Sequence, residues 1–271
     1  MSRIGAAFQE TSAPAFIGFT VAGDPDRATS VRIGKALIDA GTGILELGMP
    51  FSDPVADGPT IQKADERALA AGTTPDTVFA IVRELRAYSG VPIVMLTYFN
   101  TVYRRGIPRF YREAHDAGVD GILIADMPVE ESGEAVDAAQ EYGIDPIFLV
   151  GQTTSDDRLD AIVRQARGYI YLVSVLGVTG AREVLLPEAF QLLHRIRSHT
   201  ALPLALGFGI STPAQVRACA GAGADGVIVG SAIVEIVARN RYDPGAMEQE
   251  LHRFVSGMKA AGTPVDRQTL E

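Results

Sequence analysis

The sequence predicts a single-domain (β/α)8 barrel of the TIM type. Short apolar, β-rich runs alternate with longer stretches of helical period from one end of the chain to the other, which is the pattern of parallel strands joined by helical crossovers. Eight such runs occur. The chain length of 271 residues matches the roughly 250 that a one-domain barrel uses. An open doubly wound sheet shares the alternation, but eight evenly dispersed units favour closure.

Taken in order, the strands are expected at Pro14–Thr20, Gly43–Leu47, Pro92–Leu96, Gly121–Ala125, Pro146–Val150, Tyr169–Val173, Pro203–Leu206 and Gly226–Val229. Most are nearly all apolar, as strands buried on both faces should be. The first helix is expected to follow Asp26 and run to about Ala40, and residues 243–262 read as a final amphipathic helix. A weak repeat, Ala40-Gly41-Thr42-Gly43, Ala117-Gly118-Val119-Asp120-Gly121 and Ala222-Gly223-Ala224-Asp225-Gly226, marks helices that end on a left-handed glycine and turn into the next strand. These turns belong to the N-terminal face of the barrel and to stability. No linker divides residues 1–271, and the polar tail 262–271 is expected to fray.

Composition narrows the function. Hydrophobic residues make up 47% of the chain and charged ones 21%, enough for a large core. The net charge is −9 with no Lys/Arg cluster, so neither nucleic acid nor an anionic membrane has an electrostatic footprint. The single cysteine, Cys219, allows no intrachain disulfide and suits the cytoplasm. No run of about 18 uncharged apolar residues is present, which predicts a soluble protein that is not exported.

Barrel chemistry sits at the C-terminal ends of strands and in the loops after them. Glu46 lies inside the apolar second strand, where a carboxylate needs either an ion pair or an acid/base role tuned by burial. The segment Gly48–Thr60 is too long and too rich in Pro and Gly for a plain connector. Its Asp57 is a turn residue of an Asp-Gly pair or a second carboxylate at the rim; with Glu46 it allows proton delivery at one atom and removal at another. Gly207-Phe208-Gly209-Ile210-Ser211 and Gly230-Ser231-Ala232-Ile233 follow the seventh and eighth strands, the usual phosphate corner of barrels, with a helix expected to begin at Ser231. Capping by Ser211 and Ser231 is the simpler alternative. Ser174–Arg182 reads as a lid or an ordinary loop, and Tyr171 as a core aromatic or a ligand contact.

Other chemistries lose support. Lys35, Lys63 and Lys259 are not expected to project into the barrel mouth, which disfavours a Schiff base, and the four histidines fall in helices or at their ends, away from any rim metal site. No GxGxxG or P-loop pattern suggests a nucleotide cofactor.

The run Leu45-Glu46-Leu47-Gly48-Met49-Pro50-Phe51-Ser52-Asp53-Pro54-Val55-Ala56-Asp57-Gly58-Pro59-Thr60-Ile61-Gln62 resembles the signature of the tryptophan synthase α-subunit family. Gly23-Asp24-Pro25, Ala125-Asp126-Met127-Pro128, Gly177-Val178-Thr179-Gly180 and both glycine turns extend the likeness over almost the whole chain. The resemblance implies retro-aldol cleavage of indole-3-glycerol phosphate to indole and glyceraldehyde 3-phosphate in tryptophan biosynthesis, without cofactor, metal or Schiff base. It implies Glu46 as the mobile acid/base, Asp57 as the group stabilising the ring nitrogen and Tyr171 as the tyrosine that positions Glu46. Phe19, Leu96, Tyr98, Thr179 and Phe208 would contact the substrate, and Gly180, Gly209, Gly230 and Ser231 its phosphate. The family pairs with a pyridoxal-phosphate-containing β subunit in an α2β2 heterotetramer, docking through segments matching Pro50–Pro59 and the stretch after Asn100. A stand-alone lyase releasing indole and a non-catalytic phosphometabolite-binding subunit are the rival readings; retention of both Glu46 and Asp57 argues against the latter.

Overall fold

Eight parallel strands close into a barrel in sequence order. The computed structural model describes residues 2–9, 13–173, 187–207 and 209–263. In chain order the elements are α1 (Arg3–Gln9), β1 (Ala15–Val21), α2 (Arg27–Asp39), β2 (Ile44–Gly48), α3 (Pro59–Ala70), α4 (Pro75–Tyr88), β3 (Ile93–Thr97), α5 (Phe99–Arg105), α6 (Ile107–Ala117), β4 (Gly121–Ile124), α7 (Gly133–Tyr142), β5 (Asp145–Gly151), α8 (Asp156–Gln165), β6 (Ile170–Val173), α9 (Pro187–Arg197), β7 (Leu204–Gly207), α10 (Pro213–Gly221), β8 (Gly226–Val229), α11 (Ser231–Asn240) and α12 (Pro244–Gly262). Every expected run coincides with a strand. The ends move by at most one residue, and Pro14, Pro92 and Pro203 fall just outside, where a residue with no N–H to donate costs the ladder nothing.

Strand alternation splits the core in two. Inward-facing Ile17, Ile44, Val94, Leu123, Ile147, Tyr169, Tyr171, Ala205 and Ile228 fill the barrel. Outward-facing residues such as Leu45, Leu47, Met95 and Leu206 pack against the ring of helices, where α12 lies over α2 and α10.

The helix after Asp26 forms as expected, its first turn held by the Asp26 side chain accepting from the Thr29 N–H. It is not the first helix of the chain, however. The short α1 precedes β1 and plugs the N-terminal mouth of the barrel: Ile4 is fully buried in the interior cluster, and Phe8 tilts against Tyr169 at 5.6 Å. Its seven residues bury one side chain completely, so there is no apolar period for a sequence reading to detect. Gly41, Gly118 and Gly223, in the three repeated turns, all take left-handed φ values of 93°, 100° and 85°. The tail beyond residue 263 lies outside the described residues. No helix among the described residues is long and apolar enough to cross a membrane.

Candidate active site

Glu46 stands at the middle of β2, paired in register with Phe19 of β1 and Val94 of β3. Alternation turns its side chain inward, one layer above Ile44, and it is completely buried. Neither carboxyl oxygen has a hydrogen-bond partner among the described residues. Burial, and then the charge of Asp57, push its pKa up to about 8, while the Tyr169 hydroxyl acts in the opposite sense. The group is therefore an un-ionised acid at neutral pH, and among the described residues it forms no ion pair.

Asp57 is held by a different set of contacts. The Tyr98 hydroxyl donates to its Oδ2 at 2.6 Å, the Ala56 N–H donates to Tyr98 Oη at 3.1 Å, and Gln62 Nε2 donates to the Asp57 carbonyl at 2.8 Å. Phe51 stacks on the Tyr98 ring at 5.0 Å. The loop thus presents Asp57 in a fixed position, immediately before Gly58 and Pro59 start α3. Burial raises the Asp57 pKa and the Tyr98 hydrogen bond opposes the rise.

A cavity of about 180 Å³ opens at the C-terminal rim, walled by Phe19, Leu96, Tyr171, Asp57, Gly209, Gly230 and Ser231. Glu46 lies beneath this floor and not in its wall. Tyr98 does not line it either: its hydroxyl serves Asp57 from behind the loop. Ile61, Leu149, Ile210 and Ile228 complete the apolar wall and went unnoticed in the sequence. Their only signal was an inward or rim position, which needs the closed register to be known. Tyr171 is buried against Gly207, where an added Cβ would fall 2.5 Å from the ring; this close approach accounts for that glycine independently of any anion.

The corner where a phosphate site is expected is ordered by Gln215. Its Oε1 accepts from the Ser211 and Thr212 N–H groups, and its Nε2 donates to the Gly209 carbonyl. Thr212, not Ser211, caps α10. Across the cavity α11 begins at Ser231 after Gly230, with no side-chain cap, so the N–H groups of its first turn and its positive dipole end face the opening. Thr179, Gly180, Phe208 and the expected lid Ser174–Arg182 lie outside the described residues. The three lysines sit on outer helices α2, α3 and α12.

On the same rim, Val55 and Tyr103 are exposed apolar side chains at 82% and 67%. They belong to the loop after β2 and to α5, the two segments expected to dock a partner.

A family model described as tryptophan synthase alpha chain matches residues 6–263. A tryptophan synthase alpha chain of Methanoregula boonei is 72% identical over 261 residues, covering 96% of this chain and 98% of the relative. That of Methanothermobacter thermautotrophicus is 47% identical, covering 94% of each. A solved chain from the tryptophan synthase a2b2 complex of Pyrococcus furiosus superposes with a TM-score of 0.85 at 41% identity, covering 91% of this chain and 98% of that one.

Proposed function

Since the chain belongs to the tryptophan synthase alpha chain family, which cleaves indole-3-glycerol phosphate in tryptophan biosynthesis, we propose that Glu46, Asp57 and the Gly209/Gly230/Ser231 corner carry that reaction here. The observation that supports this most is the placing of an un-ionised, fully buried Glu46 beneath the same cavity whose wall holds a fixed Asp57.

Glu46, still protonated at neutral pH, delivers its proton to the indole ring carbon that bears the side chain. Positive charge then develops at the ring N–H, where Asp57 supplies the opposite charge. The Glu46 carboxylate left behind takes the proton of the adjacent side-chain hydroxyl; the carbon–carbon bond breaks, its electron pair returns to the ring, and the new carbonyl leaves as glyceraldehyde 3-phosphate. Glu46 ends protonated, as it began. To reach the ring its carboxyl rotates up from beneath the cavity floor, and Tyr171, in the wall, guides it. Phe19 and Leu96 flank the indole. The backbone N–H groups at Gly209, Gly230 and Ser231 hold the phosphate, and the family pattern adds Gly180 to these contacts and Thr179 and Phe208 to those with the rest of the substrate.

The partner is a tryptophan synthase β subunit, as in the a2b2 complexes of the structural relatives, and Val55 and Tyr103 offer it an apolar surface. We assign the chain, as one domain over residues 1–271, to cytoplasmic biosynthesis. The deciding experiment is indole release from indole-3-glycerol phosphate by the purified chain, titrated with the β subunit. Saturable activation is expected. No indole under either condition would overturn the proposal.

A further inference from the structure

One carboxyl at this rim has no task in the reaction just described. Asp65 projects from the inner face of α3, beside Ile61, Ala64 and Ala68, and is only 4% exposed. Two other carboxyl groups face it: Asp24, from the loop after β1, and Asp57. Both have partners. Arg67 clamps Asp24 with two hydrogen bonds of 2.7 Å, and the Tyr98 hydroxyl is committed to Asp57. Among the described residues Asp65 has neither a hydrogen bond nor an ion pair, although it lies close enough to Tyr98 to act on its hydroxyl.

The surrounding charges give it no relief. Glu66 on α3 adds a further negative charge. From α11, which packs on α3, Glu235 reaches Thr60, and Arg241 at the end of that helix acts on Asp24. Both guanidinium groups act on Asp24 and neither relieves Asp65, and an unpaired buried carboxylate is costly enough that it takes a proton instead.

We propose that Asp65 is a positioning residue for the Asp57 loop: as an un-ionised acid it sets no buried like charge against Asp57, and its ionisation sets a second buried anion against the first and unseats the loop. Burial, then Asp57, Asp24 and Glu66, push its pKa up to about 8, which puts the transition just above neutrality. This inference rests on the assignment of Asp57 to the substrate.

The sign of the linkage is definite. An aspartate that keeps its proton in the folded state but loses it near pH 4 when unfolded favours folding below that value, and the benefit fades as pH rises toward 8. Asp65→Asn, which mimics the un-ionised acid, removes this dependence. Across that window the folded-to-unfolded ratio of the wild type should fall up to about tenfold more per pH unit than that of the variant. In the complex with the β subunit, kcat/KM for indole release should decline several-fold less between pH 7 and pH 9 in Asp65→Asn than in wild type. Glu66→Gln, an exposed change on the same helix that removes only the last of these charges, should move both profiles slightly to lower pH and leave their shape as in wild type. Parallel stability curves overturn the proposal; so does a difference in stability with identical activity profiles, which would leave Asp65 a structural acid. Should the variant not fold, the 13C carboxyl resonance of Asp65 in the wild type decides: titration in the ordinary aspartate range overturns the proposal, and titration near pH 8 supports it. If no indole is released at any pH, the functional reading fails by itself, while the stability and resonance measurements still judge the protonation of Asp65.

Discussion

The Tyr98 hydroxyl donates a 2.6 Å hydrogen bond to Asp57 Oδ2 while accepting one from the Ala56 N–H. One phenol therefore fixes both the carboxylate and the backbone that carries it, and Tyr98 earns its place in the site by this contact and not as an apolar wall.

Tyr98→Phe should lower kcat/KM by roughly tenfold, the size expected for losing one hydrogen bond to a charged group. Because that bond holds the Asp57 pKa down, the acidic limb of the pH profile should also move to higher pH. Asp57→Asn should lower kcat far more, since an amide supplies no negative charge. Steady-state indole release from pH 5 to 9 checks both, and an unchanged profile for Tyr98→Phe would show the hydrogen bond to be idle.

Glu46→Gln should abolish turnover with little loss of substrate binding. It should also stabilise the protein. Folded Glu46 keeps its proton up to about pH 8, whereas the unfolded group loses it near 4.5, so wild-type stability declines across that interval by up to about 1.4 kcal/mol per pH unit for this residue. The variant escapes that decline. Thermal melts at pH 5 and pH 8 measure it: the advantage of Glu46→Gln should grow with pH, and a constant difference would mean that Glu46 is ionised in the folded protein.

Inorganic phosphate and glycerol phosphate should compete with the substrate and raise the melting temperature. Gly209→Asp and Gly230→Asp should remove both effects by setting a carboxylate where the anion would sit. Gly209 carries an additional penalty, because its φ of 80° strains any side chain. Gly230 faces the Phe19 ring, where a Cβ would approach to 3.2 Å. Competition that survives in both variants would remove the phosphate from this corner.

Val55→Asp places a charge on the most exposed apolar side chain of the rim loop after β2. It should leave the melting temperature of the isolated chain unchanged and raise the β-subunit concentration needed for half-maximal activation by about tenfold or more, since a buried unpaired charge at an interface costs over 1.4 kcal/mol. A titration of indole release with β subunit reads this directly. An unshifted midpoint would move the docking surface elsewhere.

Barrel order was legible in the sequence because strands buried on both faces leave unbroken apolar runs, and because Gly41, Gly118 and Gly223 mark three of the returns to the next strand. Glu46 was legible for a related reason, as an ionisable residue inside such a run. Other features had no local trace. Whether Glu46 has a partner depends on Tyr169 and Asp57, over 100 residues away and 11 residues away in the chain respectively, meeting it across the barrel. The role of Tyr98 depends on the β2 loop folding back over β3, and Gln215 reads as an ordinary helix residue until its amide is seen ordering the turn at Gly209. Asp65 looks like one more polar residue on a surface helix; only the approach of Asp24, Asp57 and Tyr98 from other elements makes it an isolated buried acid. Local periodicity determines which residues form strands and helices, since it reflects each segment's own burial pattern. The protonation state and the work of a side chain are set by desolvation and by charges brought from distant segments, and those exist only once the barrel has closed.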